Sequence, residues 1–236
     1  MHAFFVTGTD TGVGKTFFCS RFVRALRSAG RNAVGMKPFC CGDRDDALRL
    51  HEAAGGVVEL DRINPVWLQV PAAPYAACLV ENRLLDADGA RDGFSVLMRS
   101  HEWVVVEGVG GWRVPLTAEW CSSDFAAELG LPVLVVSANK LGTLNHTQLT
   151  VDAILARGLP CLGVILNDVH ADATCPASVT NAGILEQLLP VPLLGQISHQ
   201  AEELPEPMVQ RIVRRLSEVQ TTRSPDPQHP RRDSGA

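Results

Sequence analysis

Apolar residues in this chain come in short runs separated by stretches of helical spacing. Residues 3–7 form a compact apolar run that ends at Gly8, and beyond it Phe18, Phe22, Leu26 and Ala29 recur at helical intervals before Gly30. The pattern predicts strand, loop and helix. Residues 33–37 predict a second strand. Residues 45–54 predict a helix whose acidic start suits the positive end of the helix dipole, and Gly55 and Gly56 end it. Residues 103–106, 132–136 and 161–166 are Val- and Leu-rich runs without polar alternation, as strands covered on both faces require. Residues 191–195 predict a last strand and 208–219 a last helix. Strands alternating with helices predict a three-layer α/β fold, a mostly parallel sheet with helices on both faces.

Composition fits one such unit. Hydrophobic residues are 46% of the 236 and charged residues 20%, enough apolar material for one core, so residues 1–220 are expected to form a single domain. Residues 221–236 (TTRSPDPQHPRRDSGA) have no apolar face with which to offset the entropy of ordering, which predicts a disordered tail. A net charge of −5 argues against a nucleic acid or an anionic membrane as partner. The seven cysteines include no C-x-x-C pair, which predicts reduced thiols and neither a disulfide frame nor a zinc site. The start, MHAFFVTGTD, carries no basic leader before an apolar run, and no stretch approaches the roughly 20 apolar residues of a membrane span. A cytoplasmic protein is expected.

The chemistry concentrates between the first strand and the first helix, where residues 8–16 read GTDTGVGKT. Glycines there let the backbone curl so that successive N–H groups, together with the following helix N-terminus, face phosphate oxygens. This predicts a P-loop NTPase-like fold with ATP held by Asp10, Thr11, Gly12, Val13, Gly14, Lys15 and Thr16. Lys15 would serve the β- and γ-phosphates, and the Thr16 hydroxyl a magnesium ion. The loop is one residue longer than the simple G-x-x-x-x-G-K-[ST] pattern. Magnesium needs one or two carboxylates besides phosphates. Glu107, placed where a Val-rich strand meets Gly108, is one candidate; Asp46 reads either as a first-turn helix acid or as the second. Lys37, at a strand exit, reads as a solvated lysine or a phosphate contact. Residues 141–146 (LGTLNH) form a strand-to-helix turn whose free N–H groups suit a carboxylate.

The loop GTDTGVGKT resembles that of the dethiobiotin synthetases, in which the form GTDT-x-VGKT is characteristic. The likeness extends from about residue 4 to 197, through KPFCCG at 37–42, Asp46-Ala47-Leu48, NPVWLQVPAAPYAA at 64–77, EGVGGW at 107–112, LGTLNH at 141–146 and LND at 166–168. It implies a ligase that uses ATP and Mg2+ to close a ureido ring on 7,8-diaminopelargonic acid with CO2. Lys15, Lys37 and Thr11 would assist transfer, and Thr16, Asp46 and Glu107 would hold the metal. Cys41, Glu107, Gly108, Gly110 and Gly111 would contact the diamine, and Asn167 would read the adenine edge. Gly142, Thr143 and Asn145 of a partner subunit would hold the substrate carboxylate, so a homodimer with interfacial sites is expected. Cys41 stands where the family usually has Ser or Thr, Tyr75 where it has His, and Ser198 where it has Pro. The alternatives are a related ATP-dependent ligase for another small amine or carboxylate, for which a glutaminase domain is usual, and a partitioning-type ATPase switch, which usually has an added lysine near the loop start.

Overall fold

The computed structural model describes residues 1–170 and 176–222. In chain order its elements are β1 (His2–Gly8), α1 (Lys15–Ser28), β2 (Ala33–Met36), β3 (Phe39–Cys41), α2 (Asp45–Ala53), α3 (Leu60–Ile63), β4 (Val66–Leu68), α4 (Pro74–Val80), α5 (Ala87–Ser100), β5 (Trp103–Gly111), α6 (Ser122–Glu128), β6 (Val133–Ala138), α7 (Thr143–Ala156), β7 (Cys161–Asn167), α8 (Pro176–Leu188), β8 (Leu193–Ile197) and α9 (Glu206–Thr222). Six strands form one all-parallel sheet in the order β2-β5-β1-β6-β7-β8, with helices on both sides. The expected fold class holds. Among the described residues no helix is long and apolar enough to cross a membrane.

The absence of polar alternation in the strands has its counterpart in their burial: Val104–Val106 and Val133–Val136 are wholly inaccessible. Helix α1 lays Phe18 and Phe22 on the sheet, where Phe22 meets Phe4 edge-on at 5.5 Å. The chain leaves β1 for the β2 edge and later crosses from β5 to β6 on the opposite side of β1. Connections therefore diverge at β1, and the crevice beyond its carboxyl end is where ligands gather in open parallel sheets.

Several boundaries differ from those expected. Strand β5 continues past residue 106 through Gly111, because β1 goes on pairing with it after the apolar run has ended; Val6 lies opposite Glu107 and Gly8 opposite Gly111. Strand β8 is displaced two residues toward the C-terminus, and α9 extends to Thr222, so residues 221 and 222 of the expected tail are helical. The rest of that tail, 223–236, and Cys175 lie outside the described residues. The parallel pair β3 and β4 was not foreseen. Each has only three residues, too few to show a period.

One glycine sets a strand register. Gly163 takes φ +141 where β7 steps past β6, Val133 pairing with Cys161 but Leu134 with Gly163. A Cβ there would run into the Pro192 carbonyl and come within 2.8 Å of Leu194 Cγ. Gly163→Ala is expected to cost about 2 kcal/mol and to lower the melting temperature by roughly 4–8 °C, as thermal unfolding followed by circular dichroism would show.

Candidate functional site

Gly8 closes β1 with no room for a side chain: a Cβ would lie 2.7 Å from Asp10 O and 2.8 Å from Val13 Cγ2. The loop then turns back on itself through Gly12 at φ +73 and Gly14 at φ +96, which also caps α1. No side chain caps that helix and no acid stands in its first turn, so its leading N–H groups and partial positive charge face an incoming anion. Asp10 accepts the Thr11 N–H at 2.7 Å, and Lys15 Nζ donates to Asp10 O at 3.1 Å. Burial, and then the neighbouring Lys37 ammonium, push the Lys15 amine down to about 8.

Four further groups meet beside the loop. Thr16 Oγ1 lies 2.6 Å from Asp46 Oδ1 and 2.7 Å from Glu107 Oε1. Lys37 Nζ donates to Asp46 Oδ2 and to Glu107 Oε1, both at 2.6 Å. Each comes from a different element: Thr16 from α1, Lys37 just past β2, Asp46 from the first turn of α2, and Glu107 from within β5. For Lys37 burial works against the charge, but Glu107 and Asp46 outweigh it and hold the ammonium well above the usual lysine range. Burial likewise opposes the charge on Asp46, yet Lys37 and the Thr16 hydroxyl hold its carboxyl below the usual range.

The other Glu107 oxygen, Oε2, is fully buried and lacks a hydrogen-bond partner. A hard cation seeks such an oxygen, and with the Asp46 carboxylate and the Thr16 hydroxyl it makes a donor set suited to magnesium. Among the described residues no group of three or more His, Cys, Asp or Glu could hold a metal unaided, which fits an ion completed by phosphate oxygens.

These residues floor a cleft of about 740 Å³. Thr11, Gly12, Gly14 and Lys15 of the loop line it, as do Cys41, Pro71 and Gly110, the last beside Thr11. Cys41 also packs on the small cluster of Leu68, Ala77 and Cys78. Burial pushes both adjacent thiols up, Cys40 to about 11 and Cys41 to about 12, so neither is a nucleophile at neutral pH. The six described cysteines are all free thiols.

The glycines after Glu107 divide. Gly110, at φ +58, reaches the cleft. Gly108 is turned inward, where a Cβ would strike the Phe5 ring at 2.8 Å, and Gly111 lies beside the Gly8 and Thr9 carbonyls. Asn167 lies on the far side of the loop and donates to Val13 O at 3.0 Å. Gly142, Thr143 and Asn145 do not line this chain's cleft: Gly142 and Asn145 are exposed, and the buried Thr143 hydroxyl is 2.7 Å from Ser137 Oγ.

Two supporting residues escaped the sequence reading. Asn64, buried, donates to Lys37 O at 2.8 Å and to Val66 O at 3.0 Å, tying the strand exit that carries Lys37 to β4. Its signal was a lone Asn before Pro65, which reads as a turn. Ser137, a hydroxyl inside a valine-rich strand, lies within 3.2 Å of Thr9, Thr143 and Thr147 hydroxyls, so one proton given and two accepted satisfy it.

Residues 2–206 match the family model described as AAA domain. The chain is 47% identical over 199 residues to the ATP-dependent dethiobiotin synthetase of Akkermansia muciniphila, covering 84% of this chain and 93% of that protein. The enzyme of the same name from Aromatoleum aromaticum is 40% identical over 207 residues, 84% and 91% of the two chains. Solved structures with the same fold include the septum site-determining protein MinD of Pyrococcus horikoshii with Mg-ADP, at TM-score 0.53 and 17% identity over 93% of this chain and 97% of that one. A ParA family ATPase of Chlorobium tepidum aligns at TM-score 0.51 and 14% identity, covering 94% of each chain. The low identities confine that second likeness to fold. Sequence identity of 40% and more over four fifths of its length, on the frame of a phosphate loop, places the chain in the ATP-dependent dethiobiotin synthetase family.

Proposed function

We propose that this chain closes the ureido ring of dethiobiotin from 7,8-diaminopelargonic acid, CO2 and ATP, releasing ADP and phosphate. The observation that supports it most is the convergence of Lys15, Lys37, Thr16, Asp46 and Glu107 in one cleft that Cys41 and Gly110 also line. One amine of the substrate, joined to CO2 as a carbamate, takes the γ-phosphoryl group; the neighbouring amine then attacks the carbamoyl carbon, expels phosphate and closes the ring. The chain's task is to position these groups and stabilise charge.

The loop N–H groups from Gly12 to Thr16 and the Lys15 ammonium bind the phosphates, with Asp10 holding the loop shape through Thr11. Lys37 offers its ammonium to the oxygens between which the phosphoryl group moves, and Thr11 faces the same space. Thr16, Asp46 and Glu107 would hold Mg2+, which supplies charge neutralisation at the phosphates. The Cys41 thiol, kept neutral by burial, acts as a weak donor to the carbamate. Gly110, with Gly108 and Gly111 shaping the strand end behind it, lets the diamine approach the backbone. Asn167, whose amide donates to Val13 O, would read the adenine edge.

The exposed turn at Gly142 and Asn145, preceded by Leu141 at 83% exposure, suits a role outside its own cleft. In this reading it completes the site of a second copy and holds the substrate carboxylate there, so the enzyme works as a homodimer. The free thiols fit a cytoplasmic setting.

Incubation with ATP, Mg2+, bicarbonate and the diamine is expected to give the cyclic urea and ADP in equal amounts by mass spectrometry; ATP consumed without that product would overturn the assignment. Lys15→Ala is expected to lose at least about 10²-fold in kcat while melting near the wild-type temperature. Nucleotide binding should also report Lys15. Phosphate stabilises its ammonium, so affinity is level below about pH 8, where the amine is already protonated, and falls by up to about tenfold per unit above it. Calorimetry at pH 8.5 in buffers of different ionisation enthalpy should accordingly show proton uptake on binding.

A further inference from the structure

The Lys37 ammonium is already paired with both carboxylates, Glu107 and Asp46, that together with the Thr16 hydroxyl would hold a cation. Its nitrogen is 2.6 Å from Glu107 Oε1, the same oxygen that lies 2.7 Å from Thr16 Oγ1, and 2.6 Å from Asp46 Oδ2, while Asp46 Oδ1 is the other contact of Thr16. Lys37 and Glu107 are both buried, at 3% and 0% exposure, so water can do little to compensate either charge if the pair separates. The side chain is anchored at its root as well, since Lys37 N donates to Ile63 O at 2.8 Å and Asn64 holds Lys37 O.

The geometry points to Lys37 and a divalent cation as alternative occupants of one position: the ammonium excludes a free metal ion from Glu107 and Asp46 and yields only to a metal that arrives with a nucleotide. This rests on the magnesium reading above and adds an order to it. Two carboxylates and a hydroxyl can balance one dication or one ammonium, but a dication and an ammonium held together on the same pair of carboxylates repel each other. A metal ion arriving alone must compete with the buried ammonium for both carboxylates, Glu107 inaccessible and Asp46 half-exposed, with no new anion there to receive the lysine. Nucleoside triphosphate removes that obstacle. Its terminal phosphate gives Lys37 a new anionic partner, so displacement from the carboxylates and delivery to the transferring group become one movement. The lysine that guards the metal position is then also the one aimed at the γ-phosphate.

The test measures Mn2+ binding to the full chain by paramagnetic resonance of the free ion, with and without the β,γ-imido analogue of ATP, for wild type and for Lys37→Met, which keeps the apolar stem and removes the charge. Wild type is expected to bind Mn2+ at least about tenfold more tightly with the analogue than without it. Lys37→Met is expected to bind Mn2+ alone at least about tenfold more tightly than wild type does, and to lose most of the nucleotide dependence. Lys37→Gln, whose amide can still donate toward the carboxylates, takes the place of Lys37→Met if a thermal melt shows that the latter does not fold. Equal affinity of wild type and variant for Mn2+ alone overturns the exchange and leaves the metal reading standing, provided wild type still binds the ion with the analogue. No Mn2+ binding by either protein under any condition overturns both.

Discussion

A carboxylate with no access to water dictates how this site is put together. Glu107 lies inside β5 at 0% exposure, on a strand otherwise built of tryptophan, valine and glycine, and leaving such a charge uncompensated would be prohibitive. Its compensation is the Lys37 ammonium. Because Lys37 follows β2, and β2 pairs directly with β5, the ion pair joins the ends of adjacent strands whose register runs Met36 to Val106. Asp46 can share the ammonium because α2 begins eight residues after Lys37 and turns the second of its first two acids toward it. Thr16 then reaches both carboxylates from the first turn of α1. Thr16 of the phosphate loop, Asp46, Glu107 and Lys37 are thus held in one hydrogen-bonded cluster.

The same constraint accounts for what the sequence disclosed. Asp46 read equally as a first-turn helix acid, and it does stand in that turn; its second role rests on a contact with a residue 30 positions away, Thr16, which no local pattern encodes. Glu107 was legible because a charge at the end of a valine run breaks the rule for a covered strand. The loop was legible because its glycines serve backbone geometry at fixed spacing. Asn64 and Ser137 escaped notice for the opposite reason, each being a single polar residue whose importance lies in partners brought to it by the fold. The glycines after Glu107 looked equivalent as a string, yet Gly108 makes room for Phe5, Gly110 opens on the cleft and Gly111 backs the phosphate loop. The backbone turn at Gly110, φ +58, separates their tasks.

Ser137 shows how a phosphate loop longer by one residue is kept in shape. Thr9, where the shorter pattern would place its first glycine, lies 3.2 Å by its hydroxyl from Ser137, and its N–H donates to Val136 O at 3.1 Å, so the loop start is fastened to β6 by backbone and side chain together. On its other side Ser137 meets Thr143 and Thr147 in the first turns of α7, at 2.7 and 2.9 Å. Since these three groups are buried, their hydroxyls are satisfied by one another and by Thr9, which ties the cluster to the loop start. The loop that binds phosphate and the turn at Gly142 that leads into α7 consequently rest on one strand end. A shift of β6 would move both, because each is fastened to the same strand end through Val136 and Ser137.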